Sequence, residues 1–146
     1  MDRLVICPME PADLEICTAI EQHAPDPWTG PQLAEELAFE SARLFVARLA
    51  GRPVALAAFQ LAAGEASLNT VTVDPAFRRR GIAAALLSQA LASLTAEGAE
   101  ICFLEVRARN VPALALYEHL GFEKAGLRRG FYKNPPDDAV VMTKNL

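Results

Sequence analysis

Apolar residues recur along this chain at two spacings: every second residue in some stretches, every third or fourth in others. Arg3-Leu4-Val5-Ile6 reads as a short first strand, and Asp13 to Gln22, led by Pro11, as a helix. Gly30 to Phe39 predicts a second helix with Pro31 in its first turn, where a missing amide does little harm. Leu44 to Leu49 and Pro53 to Leu61 form a hairpin pattern around Ala50-Gly51-Arg52, and Ala66 to Val73 reads as a third long strand. The stripe Ile82, Leu86, Leu87, Ala90, Leu91, Leu94 has helical spacing and stops before Gly98, a residue suited to a helix C-terminus. Glu100 to Arg107 is apolar enough for a mostly buried strand. Asn110 can then cap a helix running to Leu120 and ended by Gly121. Two further strands, near Phe122 to Leu127 and Ala139 to Thr143, close the chain. The order of elements predicts an α/β (α+β) domain.

Length bounds that domain. The 146 residues, 52% of them hydrophobic, suit one globular unit spanning 1–146 with a sizeable core, and no internal repeat or low-complexity segment interrupts it. A net charge of -4 argues against nonspecific binding to nucleic acid and makes a cationic peptide or an amine the more natural partner. Met1-Asp2-Arg3 opens no signal peptide. The longest nearly apolar run, Pro53 to Ala63, contains Gln60 and is too short to span a membrane. Cys7, Cys17 and Cys102 form no Cys-x-x-Cys pair and read as reduced, buried thiols of a cytoplasmic protein. His23 and His119 have no companions at metal-ligand spacing, so no metal site is expected.

The most informative chemistry lies between the third strand and the long helix. Asp74-Pro75 closes a turn, Arg78-Arg79-Arg80 supplies positive charge, and Gly81 precedes the helix. The free amides at a helix start carry roughly half a positive charge and favour an anion. Gly81 lets the backbone approach such a ligand closely. No Gly-Lys-Ser/Thr follows, as a nucleotide-hydrolase phosphate loop requires, and the dinucleotide fingerprint Gly-x-Gly-x-x-Gly is absent. A solvated basic turn over a core helix is the plainer reading of the same residues.

Two side chains further on invite the same double reading. Ile101, Phe103 and Glu105 share one strand face, and a carboxylate on an apolar face is costly unless solvated, paired or used. A salt bridge to Arg107 or an exposed strand end would account for it. Tyr117 lies on a stripe with Ala113, Leu116 and Leu120, where an aromatic is ordinary core; its phenol can also reach from an apolar face and donate a proton.

Arg78-Arg79-Arg80-Gly81-Ile82-Ala83 resembles the pyrophosphate loop of the GNAT acetyltransferases, Arg/Gln-x-x-Gly-x-Gly/Ala. Leu104-Glu105-Val106-Arg107, then Asn110, Leu116-Tyr117 and Gly121-Phe122, is similar to the bacterial RimI-type members, which modify the N-terminal alanine of a small-subunit ribosomal protein. Trp28 after Pro27, Gly126-Leu127-Arg128-Arg129, Tyr132 and Asp137 to Met142 extend the likeness over nearly the whole chain. The resemblance implies a mixed, largely antiparallel twisted sheet flanked by helices, with a splayed parallel strand pair at the cofactor site. It implies acetyl-coenzyme A as co-substrate, its pyrophosphate held by Arg78, Arg79, Arg80, Gly81, Ile82, Ala83 and Ala84. Backbone amides of Val71, Thr72 and Val73 would bind the pantetheine arm and acetyl oxygen, with Asn110 facing coenzyme A as well as capping its helix. Glu105 would be the general base, acting through water, and Tyr117 the general acid.

The implied reaction is acetylation of a protein N-terminus. A small-molecule amine or a lysine side chain is the other enzymatic reading, and an acyl-coenzyme A sensing module the non-enzymatic one. Ala83 stands where many members have a second glycine, and Phe131 where a tyrosine is common. Pro25-Asp26-Pro27 and Asn134-Pro135-Pro136 stiffen two loops expected to flank the acceptor groove.

Overall fold

The computed structural model describes residues 3–146. Met1 and Asp2, which begin the segment read above as opening no leader, lie outside the described residues. Seven strands form one sheet in the order β1-β2-β3-β4-β5-β7-β6, with β1 Val5–Pro8, β2 Ala42–Leu49, β3 Arg52–Ala62, β4 Glu65–Val73, β5 Ile101–Arg107, β6 Glu123–Lys133 and β7 Pro136–Asn145. All neighbours are antiparallel except β4 and β5, which the long helix connects. The mixed, largely antiparallel sheet expected from the sequence is present.

Strand alternation sorts the helices onto two faces. Leu44, Val46, Leu56 and Ala58 meet α1 Leu14–Glu21 and α2 Gly30–Ala38 through Cys17, Ile20 and Leu33. Phe45, Ala57 and Phe59 point the other way, to Leu86, Leu87 and Leu94 of α3 Ile82–Ala96 and to Tyr117 of α4 Val111–His119. Local signals set the helix starts. Thr29 and Gln32 form a reciprocal capping box on α2, and Asn110 Oδ1 accepts from the Ala113 amide at 3.2 Å.

Several strand boundaries differ from expectation: β2 starts two residues earlier, β7 runs three residues further at its start and two at its end, and β1 and β6 differ as follows. β1 runs two residues later, because Val5 to Pro8 pair with Arg48 to Phe45 at the sheet edge, where a proline costs no ladder bond. β6 extends well beyond Leu127. It is an edge strand exposed over most of its length, and its register slips near Ala125 and between Arg128 and Tyr132, so no alternation marks it.

The feature that positions the site is a bulge. Pairing of β4 with β3 jumps from Thr70↔Ala58 to Leu68↔Phe59, leaving Asn69 extra. The parallel pairing of β4 with β5 ends at that point, Leu68↔Leu104 being its last pair. Beyond it β4 continues on β3 and β5 on β7, and the two strands part.

The buried core carries three groups that resist ionisation. Burial pushes the thiols of Cys17 and Cys102 and the phenol of Tyr117 up to about 12. Each favours the folded state fully below its unfolded value, near 9 for the thiols and 10 for the phenol, and loses that contribution as pH rises towards 12. At roughly 1.4 kcal/mol per unit this is on the order of 4 kcal/mol per thiol, comparable in sum to the whole stability of a small domain. Unfolding followed by circular dichroism is expected to begin above pH 9 and finish by about pH 11, with Cys102→Ala delaying the onset. A fold unchanged at pH 12 would contradict this burial.

Candidate active site

The parting of β4 and β5 opens a cleft of about 760 Å³. Val71 and Val73 of β4 line one wall and Glu105 of β5 the other; Ala83, Asn110 and Tyr117 come from α3 and α4. The far end is built by Asp26 and Trp28 from the loop after α1, by Arg107, and by Tyr132 from β6.

The β4 wall presents backbone. The Asp74 amide donates to Val54 O of β3 at 2.8 Å, so alternation turns the amides of Val73 and Val71 towards the open side. Thr72 is oriented differently from Val71 and Val73. Its amide belongs to the β3 side, and its buried hydroxyl donates to Glu21 Oε1 at 2.8 Å.

The basic turn continues this backbone surface. Gly81 caps α3 with φ +73°, and Arg79 is also left-handed, at φ +64°. The first intrahelical bond runs from the Ala85 amide to Gly81 O, leaving the amides of Ile82, Ala83 and Ala84 without intrahelical acceptors. Ile82 offers only its backbone, since its side chain is buried beneath the turn. The guanidinium of Arg80 stacks on Phe77 with 5.0 Å to the ring centroid, while Arg78 and Arg79 are exposed. Free amides, positive charge and a groove wide enough for an extended chain fit a pyrophosphate-bearing thioester.

Glu105 and Tyr117 both reach the cleft. Glu105 is exposed and pairs with Arg128 rather than Arg107, Arg128 Nη1 donating to its two oxygens at 3.1 and 3.2 Å. Tyr117 is buried, its ring edge-on to Phe122 at 5.9 Å. Among the described residues nothing hydrogen-bonds its hydroxyl, yet that oxygen is not sealed from solvent, so it opens on the cleft. Desolvation pushes the phenol up to about 12, so it stays protonated near neutral pH.

The pattern of the Acetyltransferase (GNAT) family matches residues 14–122. The chain belongs to this family. It is 36% identical over 140 residues, 94% of each chain, to the ribosomal protein bS18-alanine N-acetyltransferase of Escherichia coli. It is 35% identical over 141 residues, 92% of this chain and 87% of the relative, to the N-alpha-acetyltransferase RimI of Mycobacterium tuberculosis. The crystal structure of the ribosomal-protein-S18-alanine N-acetyltransferase from Escherichia coli superposes with a TM-score of 0.91 at 35% identity, covering 98% of this chain and 94% of that one. The protein is therefore an acetyltransferase of the GNAT fold, and acetyl-coenzyme A is the donor this family uses.

Three polar groups of this acetyltransferase escaped the sequence reading. Glu21 is fully buried at the C-terminal end of α1, where a negative charge opposes the helix dipole. It accepts from the hydroxyls of Thr70 and Thr72 and from the Trp28 amide, tying the splayed half of β4 to the loop beside it. Arg107 is buried and bound to Asp26. Arg128 rests over the Phe131 ring at 5.2 Å while holding Glu105, so the aromatic that replaces a tyrosine supports the partner of the carboxylate. Arg107 and Arg128 stand in the sequence only as parts of family-like motifs and Glu21 as an acid continuing the stripe of Cys17 and Ile20, and none of their partners is marked there.

Proposed function

We propose that this enzyme acetylates the α-amine of a protein N-terminus, and that its acceptor is the N-terminal alanine of a small-subunit ribosomal protein. The observation that carries the reading is the meeting of Glu105, Tyr117 and the free β4 amides in one cleft that Asp26 and Tyr132 also line. The relatives, a bS18-alanine N-acetyltransferase and an N-alpha-acetyltransferase, support the acceptor class.

Each residue answers one demand of acyl transfer to an amine. Acetyl-coenzyme A supplies an acetyl thioester. The Val71 and Val73 amides hydrogen-bond its carbonyl oxygen and pantetheine arm, favouring charge that develops on oxygen. The turn from Arg78 to Ala84 holds the pyrophosphate. Glu105, through a bridging water, takes the proton that the amine loses as its nitrogen bonds to the acyl carbon. Tyr117 keeps its proton at the hydroxyl oxygen for the sulfur that departs.

Proton chemistry favours an α-amine over lysine. Near pH 7 about one α-amine in ten is neutral, against about one lysine in 2,500. A peptide beginning with alanine and carrying nearby arginine or lysine is expected to be acetylated on its α-amine. The same peptide with a blocked N-terminus and a free internal lysine should react at least about tenfold more slowly. Mass spectrometry that locates the acetyl group on lysine, or equal rates for the two peptides, would reject the proposal in favour of a lysine or small-amine acetyltransferase.

A further inference from the structure

Arg107 has no part in the chemistry just described, yet it is the most heavily engaged side chain at the cleft. Its Nε and Nη2 donate to the two oxygens of Asp26 at 2.9 and 2.7 Å. Nη1 donates to Pro135 O at 2.8 Å and Nη2 to Asn134 O at 3.1 Å. The guanidinium lies 4.2 Å from the ring centroid of Tyr132, and only 10% of the side chain is exposed. One planar group thus joins three segments, β5, the loop after α1 and the β6–β7 turn, whose contacts lie 27 to 81 residues from Arg107 in sequence.

The strand itself does not require this. Arg107 is already paired with Ala139 in the β5–β7 ladder, so its side chain is free to serve something else. The two loops lack such a ladder. Asp26 is 45% exposed, and a surface ion pair of that kind is ordinarily worth little. Here the pair is bidentate, and the same guanidinium is completed by two carbonyls and a ring face, which fixes distance and orientation together. Arg107 also shares its strand face with Glu105, two residues and about 7 Å away. The strand that carries the base therefore carries the anchor for the walls beside it. A misplacement of about 1 Å between an acceptor and its base can cost 10²-fold in rate.

We infer that Arg107 is a positioning residue that clamps the Asp26 loop and the β6–β7 turn into one frame and so sets where the acceptor amine sits relative to Glu105. The inference rests on the reading above in taking this end of the cleft as the acceptor's entrance. The clamp is expected to act on the acceptor more than on the donor end, because no hydrogen bond joins the amides of β4 or of the turn before α3 to Asp26, Tyr132, Asn134 or Pro135.

Kinetics and hydrogen exchange test it together. Arg107→Gln is expected to raise KM for an alanine-initiated peptide by about tenfold or more, with kcat falling less and acetyl-coenzyme A affinity by calorimetry within about twofold of the parent. Arg107→Lys, which keeps charge but loses the fork, should fall between. Asp26→Asn should reproduce much of the effect, and the double variant should be no worse than Arg107→Gln alone. Amide exchange should quicken in both the Asp26 loop and the 133–136 turn of Arg107→Gln and stay unchanged around Gly81. An unchanged KM with unchanged exchange would overturn the inference. So would a parallel loss of peptide binding, donor binding and thermal stability, the mark of a merely structural residue. If the parent enzyme proves to prefer lysine or a small amine, the α-amine reading fails, while the same comparison with that acceptor and the exchange pattern still judge Arg107.

Discussion

Tyr117→Phe is expected to lower turnover by about 10² to 10⁴, the range for a positioned proton donor, while cofactor affinity and thermal stability stay near those of the parent. The substitution removes one oxygen and nothing else. The ring keeps its edge contact with Phe122 and its place in the core, and among the described residues the hydroxyl has no hydrogen bond to lose. The proton balance is tighter than an unperturbed phenol would suggest. A phenol raised to about 12 is a poor donor to a thiolate in water, whose conjugate acid lies near 8.5. A leaving sulfur that is partly desolvated beside the buried ring has its conjugate acid raised in the same direction, which narrows the gap between donor and acceptor. Steady-state kinetics with calorimetry on the variant decides the matter, and parental turnover would return Tyr117 to core packing. Glu105→Gln separates base from acid: its deficit should shrink as pH rises and more of the amine is already neutral.

What the sequence could and could not show follows from which interactions are local. The stripe from Ile82 to Leu94, the cap at Asn110 and the turn at Gly81 are written in residues a few positions apart, and all appear where their spacing placed them. β6 was shortened because strand alternation exists only when one face is buried, and this edge strand buries almost none of its side chains. The splay could be anticipated only by resemblance, since a bulge at Asn69 is defined by the register of a partner strand. In sequence Thr72 is indistinguishable from Val71 and Val73 for the same reason. Which side of β4 each amide faces depends on pairing with β3. Glu105 and Arg107 looked like natural partners two residues apart on one face. The structure sends them in different directions, to Arg128 and to Asp26, because each finds a complementary group across the cleft that sequence distance conceals.

Gly81→Val should abolish most binding of acetyl-coenzyme A without unfolding the protein. A Cβ built at Gly81 meets no atom beyond its chain neighbours within 4 Å, so the substitution has open space around its first atom. Two other penalties remain. At φ +73° a β-branched residue is strained by roughly 1–2 kcal/mol, which tends to rotate the turn out of its left-handed conformation. A side chain at Gly81 also crowds the turn that leads directly into the free amides of Ile82, Ala83 and Ala84, where a phosphate oxygen is expected to approach. Hydrogen bonds to a charged group are worth about 1.5–3 kcal/mol each, and losing two of them corresponds to at least about 10²-fold in affinity. Calorimetry should show that loss in a variant that still melts cooperatively, its melting temperature lowered by no more than several degrees, as the backbone strain alone requires. Arg80→Ala should weaken binding far less, by an amount that shrinks in high salt, because an exposed guanidinium acts through a screened charge rather than through fixed backbone geometry. If Gly81→Val bound acetyl-coenzyme A as the parent does, the pyrophosphate would have to be held elsewhere, and the turn from Arg78 to Ala84 would revert to a solvated cap on α3.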